Sequence, residues 1–266
     1  MSTDKTAGPL PNKSLGQHWL FDKASLHHIV GFAGVEAGDT VLEIGPGKGP
    51  LTRLLLEKGA AVTAVEFDAA LAIELARTIT LPGFTVHHAD ILRYDLSVMP
   101  LGYKVVANVP YYITSKIVRL LLESNRPPAS ATLLVQKEVA ERLAAGPGEM
   151  SLLSVSAQFY ATVTLGDVVP KELFEPAPKV DSRVVRLDYT GPKYDDVDRR
   201  FFFRVVKAGF AERRKKLRSS LAGGLQLEKS RLDGILAEAG IPAEARAQEL
   251  TLQQWHRLAS LLPMAM

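Results

Sequence analysis

Residues 40–58 read as a strand, a glycine turn and a helix with no spacer between them, an order that commits the chain to parallel strands joined by helical crossovers. Thr40-Val41-Leu42-Glu43-Ile44 is a short β-branched run, Gly45-Pro46-Gly47-Lys48-Gly49 follows it, and leucines at 51, 54, 55 and 56 then recur at helical spacing. The alternation continues, with strands expected at 61–66, 84–90, 104–107 and 131–136 and helices at 69–78, 115–123 and 137–144. Strands separated by helices pair in parallel through right-handed crossovers.

The pattern then changes. Residues 159–169 and 183–189 are both strand-like, and the intervening "PKELFEPAPKVDS" carries three prolines that forbid a regular element. Two sequential strands predict an antiparallel addition at one sheet edge. Beyond Thr190-Gly191-Pro192 the periodicity is wholly helical, at 197–210, 213–221, 229–239 and 252–261. The reading is an α/β domain over 1–190 and a small all-helical C-terminal domain over 191–266.

Composition narrows the function. At 47% hydrophobic and 23% charged, the 266 residues make a folded core. With no cysteine there is no disulfide framework, thiolate metal site or thiol nucleophile. His27, His28, His87, His88 and His256 lack metal-ligand spacing and are read as structural, so no metal is expected. The first thirty residues lack a basic segment followed by an apolar one, and the charge-poor stretch 150–166 is rich in Ser, Thr and Gln. A cytoplasmic protein with no membrane contact is expected.

Charge is uneven. Between Arg199 and Arg218 nine basic residues face one acid, Glu212, a local +8 in a chain whose total is only +3. Arg213, Arg214, Lys215, Lys216 and Arg218 are the densest part and are assigned to RNA binding, the alternative being a solvated helix face.

A glycine turn at the carboxyl end of the first strand is where open α/β sheets bind ligands. The second strand ends in Glu66, twenty-one residues past Gly45, where an acid accepts ribose hydroxyls. A nicotinamide cofactor is disfavoured, because the third fingerprint glycine is replaced by Pro50 and because Glu43, ahead of Gly45, would repel a pyrophosphate. A cationic ligand, S-adenosylmethionine, suits Glu43, Gly45, Gly47 and Glu66 better. Asp90, ending the third strand, is placed for an adenine amino group, and a solvent-facing loop acid is the alternative for it.

The fourth strand runs into Asn108-Val109-Pro110-Tyr111-Tyr112 at the same rim. An exocyclic amine on adenine or cytosine is a poor nucleophile because its lone pair is delocalised into the ring. An amide oxygen and a backbone carbonyl that accept its two hydrogens favour a pyramidal nitrogen. Asn108 supplies the amide, the Val109-Pro110 segment the carbonyl, and Tyr111 a ring on which a base extruded from its stack can lie. Phe174 has two readings, the base's second stacking face or core packing.

With "KSLGQHWL" (13–20), "VLEIGPGKGPLT" (41–52), "NVPYYITS" (108–115), "LVQKEVAERLAAGPG" (134–148), "FEPAPKVDSRVVRL" (174–187) and "FAERRKKLRSSL" (210–221), the chain resembles the rRNA adenine N6,N6-dimethyltransferase family. That resemblance implies a Rossmann-like, S-adenosylmethionine-dependent methyltransferase sheet followed by the helical domain. It also implies transfer of methyl groups to two adjacent adenines near the 3′ end of small-subunit (16S) rRNA, within a pre-30S particle, by a monomer. Carried over, cofactor contacts fall on His18, Leu20, Gly45, Glu66, Asp90 and Asn108, and base contacts on Asn108, Pro110, Tyr111 and Phe174. Family members usually carry Gln-Asn-Phe-Leu where this chain has Gln17-His18-Trp19-Leu20, and a proline where it has Lys116. His18 either donates to the cofactor's carboxylate or only packs. Two other functions stand as alternatives: methylation of large-subunit rRNA adenine, and a ribosome-assembly factor acting by occupancy.

Overall fold

The computed structural model describes residues 16–212 and 214–263. Strand β1 (Trp19–Leu20) and helix α1 (Lys23–Phe32) lead into the α/β alternation: β2 (Thr40–Ile44), α2 (Pro50–Glu57), β3 (Ala61–Glu66), α3 (Ala69–Thr78), β4 (Phe84–His88), β5 (Lys104–Asn108), α4 (Thr114–Glu123) and β6 (Ser130–Gln136). Next come α5 (Lys137–Leu143), α6 (Leu152–Tyr160), β7 (Ala161–Val169), β8 (Phe174–Glu175) and β9 (Ser182–Tyr189). Four helices close the chain: α7 (Arg199–Phe210), α8 (Leu217–Leu225), α9 (Lys229–Glu238) and α10 (Leu252–Leu261).

Seven strands form one sheet in the order β4-β3-β2-β5-β6-β9-β7. The β4, β3, β2, β5 and β6 neighbours are parallel, whereas β9 runs antiparallel to β6, with Leu133 opposite Val185. The Rossmann-like sheet with an antiparallel edge addition is therefore present, and the strand order reverses between β2 and β5, the crevice where such sheets bind ligands. On one sheet face Val41, Val62, Val106, Leu134 and Val184 pack with Leu26, Ile29 and Val30 of α1 and Leu51 and Leu55 of α2. Each such buried side chain stabilises the fold by about 1.5–3 kcal/mol relative to exposure.

Helix starts follow side-chain chemistry. Asp22 caps α1 by accepting from the Ser25 amide at 2.8 Å, and Asp68 caps α3 by accepting from Ala70 and Leu71. Helix α2 begins at Pro50 after Gly49, whose φ of +80° suits only glycine. A Cβ there would also lie 2.8 Å from Leu75 Cδ2.

Two expectations change. The proline-rich loop holds a short strand after all: β8 pairs antiparallel with β1, Leu20 opposite Phe174. The helix expected at 213–221 lies instead at Leu217–Leu225. Leu217 and Leu221, one turn apart and buried, anchor it, and the charged run before them has no apolar face to hold a helix down. It continues through Gly224 because a Cβ there would meet the Ala208 Cβ at 2.6 Å, so glycine lets α7 and α8 approach.

The chain divides into two compact units, one built from residues up to 140 together with 164–189, the other from 141–163 together with 190 onward. The boundary near 190 is the last of three crossings. In the helical unit Phe159 of α6 packs on Phe202 and Phe203 of α7, with ring centroids 4.7 and 5.2 Å apart. No helix among the described residues is long and apolar enough to cross a membrane, and none of their His, Asp and Glu side chains group to hold a metal.

Candidate active site

At the carboxyl ends of β2, β3 and β5 the sheet opens into a cavity of about 290 Å³. His18, Gly45, Gly47, Glu66, Asp90, Asn108, Pro110 and Tyr111, all singled out in the sequence, line it.

Glu66 is the fixed acid. It is 5% exposed, and it accepts from the Gly47 amide at 3.1 Å through Oε2 and from the Asp68 amide at 2.9 Å through Oε1. Burial pushes its carboxyl above the usual range, and the Asp68 and Gly47 amides pull it back. The carboxylate thus clamps the glycine turn to the end of β3 and keeps lone pairs for ligand hydroxyls. Asp90 accepts from the Leu92 amide at 2.9 Å and caps a short 3₁₀ turn, half-buried at the cavity wall.

The absence of a side chain on Gly47 lets Trp19 pack directly against the glycine turn. The Gly47 φ is +60°, and a Cβ would lie 2.9 Å from Trp19 Cδ1. Trp19, 7% exposed, lies against the turn, with the Lys48 ammonium 4.6 Å above its ring centroid.

Asn108, ending β5, donates from Nδ2 to the His18 carbonyl at 3.0 Å. Its Oδ1 therefore remains the acceptor. The Pro110 carbonyl accepts from the Ile113 amide at 3.2 Å and retains a second lone pair. Tyr111 is held at both ends: its hydroxyl shares a 2.6 Å hydrogen bond with Ser182, and its ring stacks on His18 at 5.7 Å between centroids and 18° between planes. Burial raises the Tyr111 phenol above its ordinary value, so it stays neutral. His18 Nδ1 donates to the Pro176 carbonyl at 2.7 Å, which fixes the orientation of the ring.

Three nominated residues stand back from the cavity. Glu43 is 1% exposed and does not reach it, because strand alternation turns 43 away from the face on which Ile44 lines the wall. Burial pushes its carboxyl up to about 8, with the charge of Glu66 adding to the shift against a Thr52 hydroxyl that lowers it. Glu43 is accordingly mostly neutral at pH 7 and is not the electrostatic filter that its place before the glycines suggested. Leu20 and Phe174 face each other across the β1–β8 pair and join the apolar core, 2% and 4% exposed. Core packing is the reading of Phe174 that this placement matches.

The cavity also recruits Gln17, Trp19, Phe67, Ile91, Tyr112 and Lys116. Gln17 and Trp19 stood beside His18 in the motif at 13–20, and Tyr112 and Lys116 beside the Asn-Val-Pro-Tyr run; Phe67 and Ile91 only followed the strand-end acids Glu66 and Asp90.

Of the described members of the basic cluster, three precede α8 and Arg218 lies within it. Arg213 lies outside the described residues; Arg214, Lys215 and Lys216 are exposed in the turn before α8. Lys215 pairs with Glu212, Lys216 with Glu244 at 2.5 Å, and Arg218 forms a fork with both oxygens of Asp233 at 2.9 and 2.8 Å. Such exposed pairs are worth about 0–1 kcal/mol, little enough for an RNA phosphate to replace the carboxylates.

A family model described as ribosomal RNA adenine dimethylase matches residues 10–263. The chain belongs to that family. Among its dimethylase relatives, the ribosomal RNA small subunit methyltransferase A of Alkaliphilus oremlandii is 40% identical over 262 residues, covering 94% of this chain and 91% of the relative. The protein of the same name from Synechocystis sp. is 40% identical over 277 residues, covering 95% and 96%. Two crystal structures are similar throughout. The 23S rRNA methyltransferase ErmE has a TM-score of 0.74 at 29% identity, over 92% of this chain and 99% of that one. A dimethyladenosine transferase from Plasmodium falciparum has a TM-score of 0.77 at 25% identity, over 91% and 96%. As a dimethylase-family member the chain is a methyltransferase enzyme, and the cavity is its candidate active site.

Proposed function

We propose that this enzyme transfers methyl groups from S-adenosylmethionine to the N6 amine of two adjacent adenines near the 3′ end of small-subunit (16S) rRNA, acting as a cytoplasmic monomer on a pre-30S particle. The observation that carries the reading is the orientation of Asn108, whose amide nitrogen is committed to His18 while its oxygen stays an acceptor at the cavity.

The cavity's donor set fits the cofactor. Glu66 would accept the ribose hydroxyls, Asp90 the adenine amino group, and the bare turn at Gly45 and Gly47 would receive the rest, with His18 near the amino-acid end. Phe67 and Ile91 offer apolar faces to the adenine. Bound there, S-adenosylmethionine supplies an electrophilic methyl on a sulfonium. In the first transfer Asn108 Oδ1 and the free lone pair of the Pro110 carbonyl would accept the two N6 hydrogens of the target base and turn its lone pair toward the methyl. As the N–C bond forms the C–S bond breaks, and one N6 proton leaves to solvent, so the second transfer keeps only one of these two hydrogen bonds. Tyr111, braced by Ser182 and His18, holds the ring plane. Alignment is the main demand on the protein. Arg213, Arg214, Lys215, Lys216 and Arg218 would hold RNA phosphates.

The small subunit is favoured over the large by the names of relatives at 40% identity, against 29% for ErmE. Incubating tritiated S-adenosylmethionine with immature small subunits, followed by mass spectrometry of the rRNA, tests the reading: label on two neighbouring adenines of the small-subunit strand is expected. Label on large-subunit rRNA, or assembly rescued by an Asn108→Ala variant that transfers no methyl, would replace it with one of the two alternatives.

A further inference from the structure

The second ring of the Asn-Val-Pro-Tyr-Tyr run is set differently from the first. Tyr111 is half-buried and fastened at both ends, whereas Tyr112 is 64% exposed and has no hydrogen bond or ring partner among the described residues. The two lie in one 3₁₀ turn, 111–113, in which successive side chains are rotated by about 120°. One ring therefore meets the cavity interior while the next meets its mouth. Gly16 backs Tyr112 closely, since a Cβ on Gly16 would sit 3.4 Å from Tyr112 Cδ1. Four residues on, Lys116 of α4 is exposed, lines both this cavity and the adjoining groove of Tyr94 and Arg126, and has no acidic partner among the described residues.

We propose that Tyr112 is the stacking platform for the nucleotide next to the target adenine, and that Lys116 neutralises the phosphate joining the two. The inference rests on the reading that an extruded adenine enters the cavity. Extrusion bares one face of the neighbouring base, and restacking that face on a rim aromatic offsets part of the cost. Stacking tolerates any base, so Tyr112 sets affinity and register rather than base identity. Lys116 follows in the first turn of α4 and lines both the cavity and the adjoining groove, a path along which the strand can continue.

Steady-state methylation and equilibrium retention of immature small subunits, both in the presence of varied salt, test this. Tyr112→Ala is expected to raise KM for the particle and its Kd about tenfold, with kcat changed less than twofold and S-adenosylhomocysteine affinity intact as the check on folding. Tyr112→Phe is expected to restore the wild-type KM, because the ring and not the hydroxyl carries the contact. Lys116→Ala should lower the slope of log Kd against log salt by about 0.7–0.9. A wild-type KM and Kd in Tyr112→Ala, or a Tyr112→Phe as weak as Tyr112→Ala, overturns the proposal. If the wild-type protein labels no adenine, the parent reading fails, and the retention arm still judges Tyr112 by itself.

Discussion

The side-chain amide of Asn108 donates to the backbone carbonyl of His18 at 3.0 Å, so two segments ninety residues apart in sequence decide which end of that amide meets a substrate. An aspartate in its place would set an oxygen against the His18 carbonyl. Asn108→Asp and Asn108→Ala should each lower kcat about 10²–10³-fold while particle retention stays within twofold. Rapid-quench transfer assays check this, and an Asn108→Asp enzyme with near-normal kcat would show that the amide's polarity is irrelevant.

Glu43 ties stability to pH. Its carboxyl is raised by burial from 4.5 to about 8, so the folded protein holds this proton where the unfolded chain has lost it. Stability from this group is complete below about pH 4.5, declines as pH rises, and is lost once pH passes about 8. Glu43→Gln should remove that decline, leaving the variant on the order of several degrees more stable than wild type at pH 9 and little different at pH 5. Calorimetric scans across this range decide it.

A cationic cofactor beside Glu66, whose carboxyl burial also raises, should draw protons off the protein on binding. Titration calorimetry in two buffers of different ionisation enthalpy should then register proton release, and affinity should increase as pH rises through the upward-shifted titration of this carboxyl. Glu66→Gln should abolish the release and weaken binding roughly a hundredfold.

Gly47→Ala combines a positive φ with a 2.9 Å approach to Trp19. The turn has to move to accept it, and S-adenosylhomocysteine affinity should fall at least tenfold. Titration calorimetry with S-adenosylhomocysteine measures the loss directly, and an unchanged Kd would mean that the turn is not the cofactor's bed.

Tyr111→Phe keeps the ring and deletes the bond to Ser182, a residue with no exposed surface. The orphaned serine should cost about 1–3 kcal/mol of stability with most activity retained, whereas Tyr111→Ala should lose methylation. Thermal unfolding beside turnover separates the two.

Much of this site was legible because its residues end strands: a β-branched run, a glycine turn and an acid at the next strand end locate Gly45, Glu66 and Asp90 without coordinates. Direction along a strand is also readable, but which sheet face a helix covers is not, and so Glu43 was placed toward the ligand when it is buried. The β1–β8 pair escaped notice because two residues per strand leave no periodicity, and Phe174 was correspondingly ambiguous until its partner Leu20 was known. Trp19 was visible as part of the motif at 13–20, but nothing in sequence links it to Gly47. The onset of α8 at Leu217 was obscured by charges that looked helical by spacing alone, where burial of Leu217 and Leu221 sets the true start.

The helical unit borrows residues 141–163 from the middle of the polypeptide. Phe159 of that loan is gripped by Phe202 and Phe203 from far downstream. A gene fragment ending at 190 would therefore encode α6 stripped of its aromatic companions, a sticky surface instead of a smaller enzyme. Swapping this unit between relatives calls for exchanging two separate cassettes at once, and a single splice near the carboxyl terminus would yield mismatched aromatic interlayers.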